Sequence, residues 1–424
     1  MRVLLISANT ETINMSIIPV GLGAVAAACK NTQTEVEFLD LMNEKNPEPA
    51  IKGVLLKFDP QIIGISVRNI DDQSSADPRF LLEPVKKVVA LCRENSRALI
   101  VLGGAGYSIF PESALAYLGA DLGIQGEGEI AFRSMVARLE SGKDLSGIAG
   151  LCFLNRGRLR KPSFATDLDS LPLPEADLFA EYLPAAGKIW MPFQTKRGCP
   201  MNCSYCSTSA IEGKLIRRRS PKSVIEALAR YADAGFRQFF FTDNMFNLPG
   251  SHARALCRLM LEAGLDISWR CIIYPKKVDQ ALVKDMADAG CQEISLGFES
   301  GCENILRNMN KRYTPDEVRG ISRILGDHGI RRMGFLLLGG PGETKESVEK
   351  SLEFADSLNL EAMRITCGIR IYPFTGLAQT AGQEGLIKPD QDLLFPKFYL
   401  ARGLEDWLLE TVKQWAGKRP NWIL

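Results

Sequence analysis

Short apolar runs alternate with longer stretches of helical periodicity over most of this chain, in two successive series. The first series holds the runs Val3–Ala8, Val36–Leu41, Ile62–Val67, Leu99–Leu102 and Leu122–Gln125, each bounded by polar or glycine-rich sequence. Runs of this length and composition predict strands. Between them, Gly21–Lys30, Leu81–Glu94 and Glu112–Leu118 carry helical spacing. Strands that alternate with helices build parallel βαβ units, so residues 1–150 are expected to form a doubly wound, Rossmann-like α/β domain. The second series starts near Met191. Its strands are expected at Phe193–Lys196, Gln238–Thr242, Ser268–Ile273, Glu293–Phe298, Met333–Leu338 and Arg364–Ile369. Helices are expected at Pro221–Ala234, Ala253–Ala263, Gln280–Ala289, Pro315–Asp327, Lys345–Ser357 and Leu377–Gln383. Six βα units predict a partial (β/α)6 barrel over 191–385, with its chemistry at the carboxyl ends of the strands.

Two segments stand outside these series. Residues 151–190 read as a connector, with a hairpin turn at Arg156-Gly157-Arg158 and a proline-stiffened crossing at Leu171-Pro172-Leu173-Pro174. Residues 386–424 read as a short helical C-terminal segment that does not continue the barrel. Its helix is expected at Leu404–Ala416, and Trp407, Trp415 and Trp422 are expected to pack against the barrel's open side, with an apolar substrate cavity as the alternative.

Composition narrows the function classes. The 424 residues carry 51 basic and 50 acidic side chains, a net charge of +1, which gives no footprint for nucleic acid or an anionic membrane. Arg217-Arg218-Arg219 reads as a solvated loop. No apolar run is long enough to span a membrane. Met1-Arg2 leads straight into the first strand, with no secretory h-region. The eleven cysteines are therefore expected in a reducing, cytoplasmic setting, most of them as small core residues.

Three of those cysteines are different. Cys199-Pro-Met-Asn-Cys203-Ser-Tyr-Cys206 spaces its thiols C-x3-C-x2-C immediately after the first barrel strand. Three thiolates can hold three corners of an iron–sulfur cube and leave one iron open. A zinc knuckle needs a fourth ligand, and no second cysteine pair follows. Other barrel strand ends carry Thr242-Asp243-Asn244, Gly297-Phe298-Glu299-Ser300-Gly301, Gly339-Gly340-Pro341-Gly342-Glu343 and Arg370-Ile371-Tyr372-Pro373. In the first domain the third strand runs into Val67-Arg68-Asn69, the fourth into Gly103-Gly104-Ala105 and the fifth into Gly126-Glu127-Gly128-Glu129. Ligands of open α/β sheets bind at such strand ends. No G-x-G-x-x-G follows the first strand, so a dinucleotide fingerprint is absent.

The cysteine triplet and the strand-end motifs over about 190–375 resemble the radical S-adenosylmethionine (SAM) enzymes. The resemblance implies a 4Fe-4S cluster on Cys199, Cys203 and Cys206, with SAM on the open iron. It implies Tyr205 against the adenine, Asp243 and Asn244 at an ammonium group, and Glu299 at the ribose or amino group. It further implies Gly339 and Gly340 along the nucleoside, and Arg370 gripping a carboxylate. Residues 1–150 resemble the cobalamin-binding domain fused to many such enzymes. The implied cobalamin contacts are Val67, Arg68, Asn69, Gly103, Gly104, Ala105, Gly126, Glu127, Gly128 and Glu129. The only histidines, His252 and His328, lie outside that domain, so the cobalt-ligating D-x-H-x-x-G is missing, as in many radical SAM relatives.

Together the resemblances imply a cobalamin-dependent methyltransferase. Reductive SAM cleavage gives a 5′-deoxyadenosyl radical, and methylcobalamin supplies the methyl to an unactivated carbon or phosphorus of a small or lipid-like substrate. A flavodoxin- or ferredoxin-type protein would bring the electron. A cyclase, oxidase or rearrangement enzyme with the same cofactors is the alternative. A transfer-RNA methylthiotransferase would need another cysteine triad and a basic appendage, and a cluster-bearing sensor would leave the SAM-site motifs without a role.

Overall fold

Main-chain groups of a buried apolar run must hydrogen-bond to neighbouring runs, and in the computed structural model they do so as two separate parallel sheets. Residues 1–12, 17–30, 33–154, 161–185 and 187–424 are described; the turn expected at Arg156-Gly157-Arg158 lies outside them. The chain divides into two units. The first comprises Met1–Asp72, Arg79–Pro184 and Thr208–Gly213, and the second Gln73–Pro78, Ala185–Ser207 and Lys214–Leu424.

The first unit is built on β1 (Arg2–Ser7), β2 (Glu35–Asp40), β3 (Ile62–Ser66), β4 (Leu99–Gly103), β5 (Leu122–Ile124) and β6 (Leu151–Phe153), in the order β2-β1-β3-β4-β5-β6. The first five are parallel and β6 closes the edge antiparallel to β5. The expected helices appear at Val20–Cys29, Leu82–Asn95 and Pro111–Leu118; four more, Pro47–Phe58, Ala105–Ile109, Gly128–Glu140 and Thr208–Glu212, have no counterpart in the sequence reading. Helix Gly128–Glu140 drives Phe132, Met135 and Val136 into the core shared by Val3, Leu5 and Val101. Phe132 fits because Gly64 has no side chain: a Cβ there would come within 2.7 Å of Leu5 and 3.1 Å of the Phe132 ring.

The expected connector is part of this unit up to Pro184. It supplies β6, and its 3-10 segment Ala176–Ala185 buries Phe179 and Tyr182. The Phe179 ring occupies the space a Cβ at Gly23 would need, and the Tyr182 hydroxyl donates to the buried Asp40 carboxyl. Burial of one such aromatic is worth roughly 2–3 kcal/mol. A segment holding two of them is anchored chain, not a flexible link.

In the second unit β7 (Met191–Phe193) is followed by a two-stranded antiparallel ribbon, β8 (Lys196–Arg197) with β9 (Arg217–Arg218). The remaining strands are β10 (Gln238–Phe241), β11 (Ser268–Ile273), β12 (Cys291–Glu299), β13 (Arg331–Leu338) and β14 (Ala362–Cys367), then the antiparallel pair β15 (Ile369–Arg370) and β16 (Phe398–Tyr399), and finally β17 (Trp422–Ile423). The parallel sheet runs β7-β10-β11-β12-β13-β14-β17. Its first six strands are the expected ones. Four of the helices between them begin on side-chain caps from Ser220, Asp279, Thr314 and Thr344, each accepting a hydrogen bond from a main-chain N–H of the first turn.

The C-terminal segment departs from expectation. After helix Leu408–Ala416 the chain re-enters the sheet as β17, parallel to β14. Trp415 and Trp422 stack at 6.0 Å with planes 10° apart, and the Arg419 guanidinium lies over both rings. These rings pack the helix onto the new edge strand. All five tryptophans (Trp190, Trp269, Trp407, Trp415, Trp422) belong to this unit. Among the described residues no helix is long and apolar enough to cross a membrane.

Candidate functional site

The Cys199–Cys206 loop leaves β8 through Gly198, whose φ of 89° suits glycine. Asn202 also adopts a left-handed φ of 54°, which asparagine tolerates better than most residues. Three main-chain hydrogen bonds fix the loop from outside. The Met309 carbonyl accepts from Ser204 N at 3.0 Å, and Ser204 O accepts from Leu377 N at 2.7 Å. Asn310 Nδ2 donates to Asn202 O at 2.6 Å. None of the three thiols is in a disulfide, and all three are half-buried. They share one pinned loop, although among the described residues no three ligating side chains are drawn as tight as a bound ion would hold them. A three-thiol set with no fourth ligand is the donor chemistry an open-iron cluster needs.

Beside this loop is a charged pair, of which the sequence reading named Glu299 and missed Lys311. Glu299, at the end of β12 with a φ of 61°, accepts from the Tyr205 hydroxyl at 2.9 Å and from Lys311 Nζ at 3.1 Å, both on Oε1. The Lys311 ammonium lies 5.2 Å from the Tyr205 ring centre and 6.0 Å from that of Tyr313. Burial works against this ammonium, but Glu299, followed by Tyr205 and Tyr313, outweighs it and holds Lys311 protonated well above the usual lysine range. Burial raises the Cys203 thiol, while the charge of Lys311 and a hydrogen bond from it work the other way. A buried cation beside the Cys203 sulfur favours its thiolate form, against the effect of burial.

Other expected contacts are occupied by the protein itself. Asp243 is fully buried, and its carboxylate accepts from Thr195 N (2.7 Å), Thr195 Oγ1 (2.5 Å) and Lys196 N (3.1 Å), with Lys196 Nζ at 3.6 Å. It has nothing left for an ammonium ligand; it braces the strand that delivers the cysteine loop. Asn244 beside it is half-buried. Arg370 is buried with its guanidinium on the carbonyls of Ile371, Leu393 and Leu394, so it is tied to main chain and not aimed at a carboxylate. The N–H groups of Gly339 and Gly340 both donate to Glu343 Oε2, at 2.5 and 2.8 Å. A Cβ on Gly339 would meet Leu400 at 2.6 Å and one on Gly340 would meet Met309 at 2.9 Å. Protein packing, not a nucleoside, explains those two glycines.

In the first unit the structure gathers the strand-end motifs of β3 and β4. Val67 N donates to Gly103 O at 2.8 Å, and Gly106 N donates to Val67 O at 3.0 Å. Gly104 has a φ of 100°, and a Cβ there would lie 2.5 Å from Val67 O. Ala105 is exposed at the start of helix Ala105–Ile109 and Asn69 is half-buried. Arg68 is partly desolvated, and burial alone lowers its pKa, with no carboxylate opposing. A half-buried guanidinium at a strand end suits an acceptor-rich ligand such as a cobalamin, whose corrin ring carries amide side groups. The unit offers no imidazole to cobalt, since both histidines lie in the second unit. The Gly126–Glu129 turn is the start of helix Gly128–Glu140. Gly126 N donates to Ser108 Oγ, Glu127 Oε2 accepts from Ala165 N at 2.8 Å, and Glu129 is buried in the first turn. Glu127 therefore braces the 161–165 segment.

Two family models match the chain, the B12 binding domain over residues 6–136 and the radical SAM superfamily over residues 193–355. The chain joins a B12-binding domain to a radical SAM domain. An uncharacterized methyltransferase of Pyrococcus horikoshii is 28% identical over 398 residues, covering 91% of this chain and 84% of that one. A cytidylyl-2-hydroxyethylphosphonate methyltransferase of Streptomyces wedmorensis is 23% identical over 437 residues, covering 88% and 80%. The structure of the radical SAM methyltransferase TsrM from Kitasatospora setae, with cobalamin and a 4Fe-4S cluster bound, superposes with a TM-score of 0.88 at 20% identity, over 100% of this chain and 90% of that one.

Two buried groups give the radical SAM domain a distinctive pH response. Burial pushes Glu343 up to about 7, the two glycine N–H groups opposing only in part, and its Oε1 is buried without a partner. His252 is lowered to about 4 by burial, with Lys196 and Arg218 adding to it. The raised carboxyl adds stability that is complete below about 4.5 and lost as pH rises through 7. The depressed imidazole adds stability that is complete above about 6.5 and lost as pH falls through 4. Between 4.5 and 6.5 they oppose each other. We expect Glu343→Gln to expose a loss of stability towards acid pH and His252→Gln a loss towards neutral pH, each on the order of 1–3 kcal/mol. Urea midpoints across pH 4–7.5 check this; parallel profiles for the wild type and both variants would contradict it.

Proposed function

We propose that this protein is a cobalamin-dependent radical SAM methyltransferase acting on an unactivated carbon, or phosphorus, of a small or lipid-like molecule. The observation that carries the reading is the pinned three-thiol loop that leaves the β8–β9 ribbon, in the same chain as a B12-binding domain. Methyltransferase names outnumber cyclase names among the relatives, which supports methyl transfer over cyclisation. When bound, the cluster with SAM supplies a radical that takes hydrogen from an unactivated position, and the cobalamin supplies the methyl group.

The chain's own part is to hold and orient. Cys199, Cys203 and Cys206 would ligate the cluster, and Lys311 would offset the charge of their sulfurs. Tyr205 and Lys311 lock Glu299 through Oε1, leaving Oε2 for a ribose hydroxyl or an ammonium group. Val67–Asn69 and Gly103–Ala105 would meet the cobalamin, with Arg68 donating to its amide groups. The test needs no substrate. Protein purified anaerobically with cobalamin supplied should hold near one cobalamin per cluster, and the labelled methyl of SAM should be recovered with it. Cluster and SAM cleavage without bound cobalamin would end the methyltransferase reading.

A further inference from the structure

Phe374 breaks two rules at once. It is a large apolar ring left 96% exposed, and its φ is 61°, a left-handed conformation that bulky side chains avoid. A lone exposed hydrophobic residue means little, but a strained one is kept only where something depends on it. The strain is built in. Thr375 Oγ1 donates to Tyr372 O at 2.7 Å and accepts from Ala378 N, so the turn is locked at the start of helix Gly376–Gln383. At 96% exposure, no packing among the described residues explains the ring. A glycine at this position would fit the backbone better.

Its position supplies the reason. Three residues on, Leu377 N holds the carbonyl of Ser204, between Cys203 and Tyr205. The other very exposed apolar side chain of this unit, Leu215 at 78%, also belongs to a segment tied to the cysteine loop. In the β8–β9 ribbon Arg197 pairs with Arg217, and two residues along the chain from that pair, outside the ribbon, stand Cys199 after β8 and Leu215 before β9. Lys214 and Arg218, flanking Leu215, are exposed as well. Among the described residues of the unit, the two most exposed large apolar side chains thus belong to segments tied to one loop, and the exposed charges by Leu215 are positive.

We propose that Phe374, with Leu215, Lys214 and Arg218, forms the docking surface for a small acidic one-electron carrier protein that reduces the cluster. This rests on the cluster reading given under Proposed function. Electron transfer falls steeply with distance, so the carrier must dock beside the cysteine loop. Exposed aromatic and aliphatic anchors supply affinity, and basic residues steer an acidic partner. One electron leaves the carrier and enters the cluster; no bond forms or breaks.

The test compares wild-type holoenzyme with Phe374→Gly and Leu215→Ser, driven either by reduced flavodoxin or by titanium(III) citrate. We expect the flavodoxin KM for SAM cleavage to rise about tenfold or more in Phe374→Gly, with the titanium-driven rate within about twofold of wild type. Calorimetry of flavodoxin binding to the holoenzyme should show a matching loss of affinity, and added salt should weaken binding to the wild type. Unchanged KM and affinity in both variants would overturn the proposal. Equal loss with both reductants would also overturn it, since the residues would then serve SAM or substrate. A wild type that cleaves no SAM with titanium would count against the proposed function, and the calorimetry would still decide the docking surface.

Discussion

Cys203→Ala is expected to abolish SAM cleavage while leaving the fold intact. The loop does not depend on that thiol for its shape, because Ser204 is held through its main-chain N–H and C=O and Asn202 through Asn310. Loss of one half-buried sulfur should therefore cost no more than about 1 kcal/mol of stability. The effect on the cluster is of another order. Three thiolates are the least that hold an open-iron cube, and the chain has no spare cysteine on this loop. The other cysteines of the radical SAM domain, such as Cys302 with its thiol towards Ser347 O at 3.4 Å, are committed elsewhere. Iron per chain after anaerobic reconstitution, with SAM cleavage read by chromatography, is the measurement. Cys302→Ala should keep both; full iron in Cys203→Ala would remove the cysteine loop from the cluster reading.

The largest effect on folding is expected at Asp243. Burial drives its carboxyl towards the neutral form and, in the same way, pushes the Lys196 ammonium down, each partner opposing the other's shift. What keeps the pair inside is the ring of donors from Thr195 and Lys196, with Lys196 Nζ also held by Phe246 O at 2.8 Å. Asp243→Ala would strand a buried ammonium, two main-chain N–H groups and a hydroxyl. A cost of about 3–5 kcal/mol follows, read as a lower urea midpoint. Because Thr195 and Lys196 lead into the cysteine loop, iron retention should fall with it. A midpoint within about 1 kcal/mol of wild type would show that water replaces the carboxylate.

Why Asp243 looked like a ligand contact explains where the sequence stops being legible. Its type and strand-end position were readable, but its partners lie about fifty residues away, and only the folded sheet sets Thr195 against it. Arg370 failed for the same reason, since two of its three carbonyl partners sit beyond position 390. Lys311 went unseen because a single lysine after a short helix carries no periodic signal. Its burial arises from the approach of Glu299, Tyr205 and Tyr313. By contrast β1–β5 of the first sheet and β7 and β10–β14 of the second were visible, because each is a local apolar run. Helix Gly128–Glu140 was hidden by its own start, where two glycines read as a turn. The two residues of β17 are too few to show any pattern.

The distribution of tryptophan has a practical consequence for watching this molecule unfold. All five indoles lie in the second unit and none in the first. Intrinsic indole emission is therefore blind to the B12-binding unit, whereas circular dichroism weighs the helices of both. A melt followed by both signals separates one cooperative transition from two, because only coincident curves are consistent with a single step. Had Trp415 and Trp422 been spread between the units, that optical distinction would not exist.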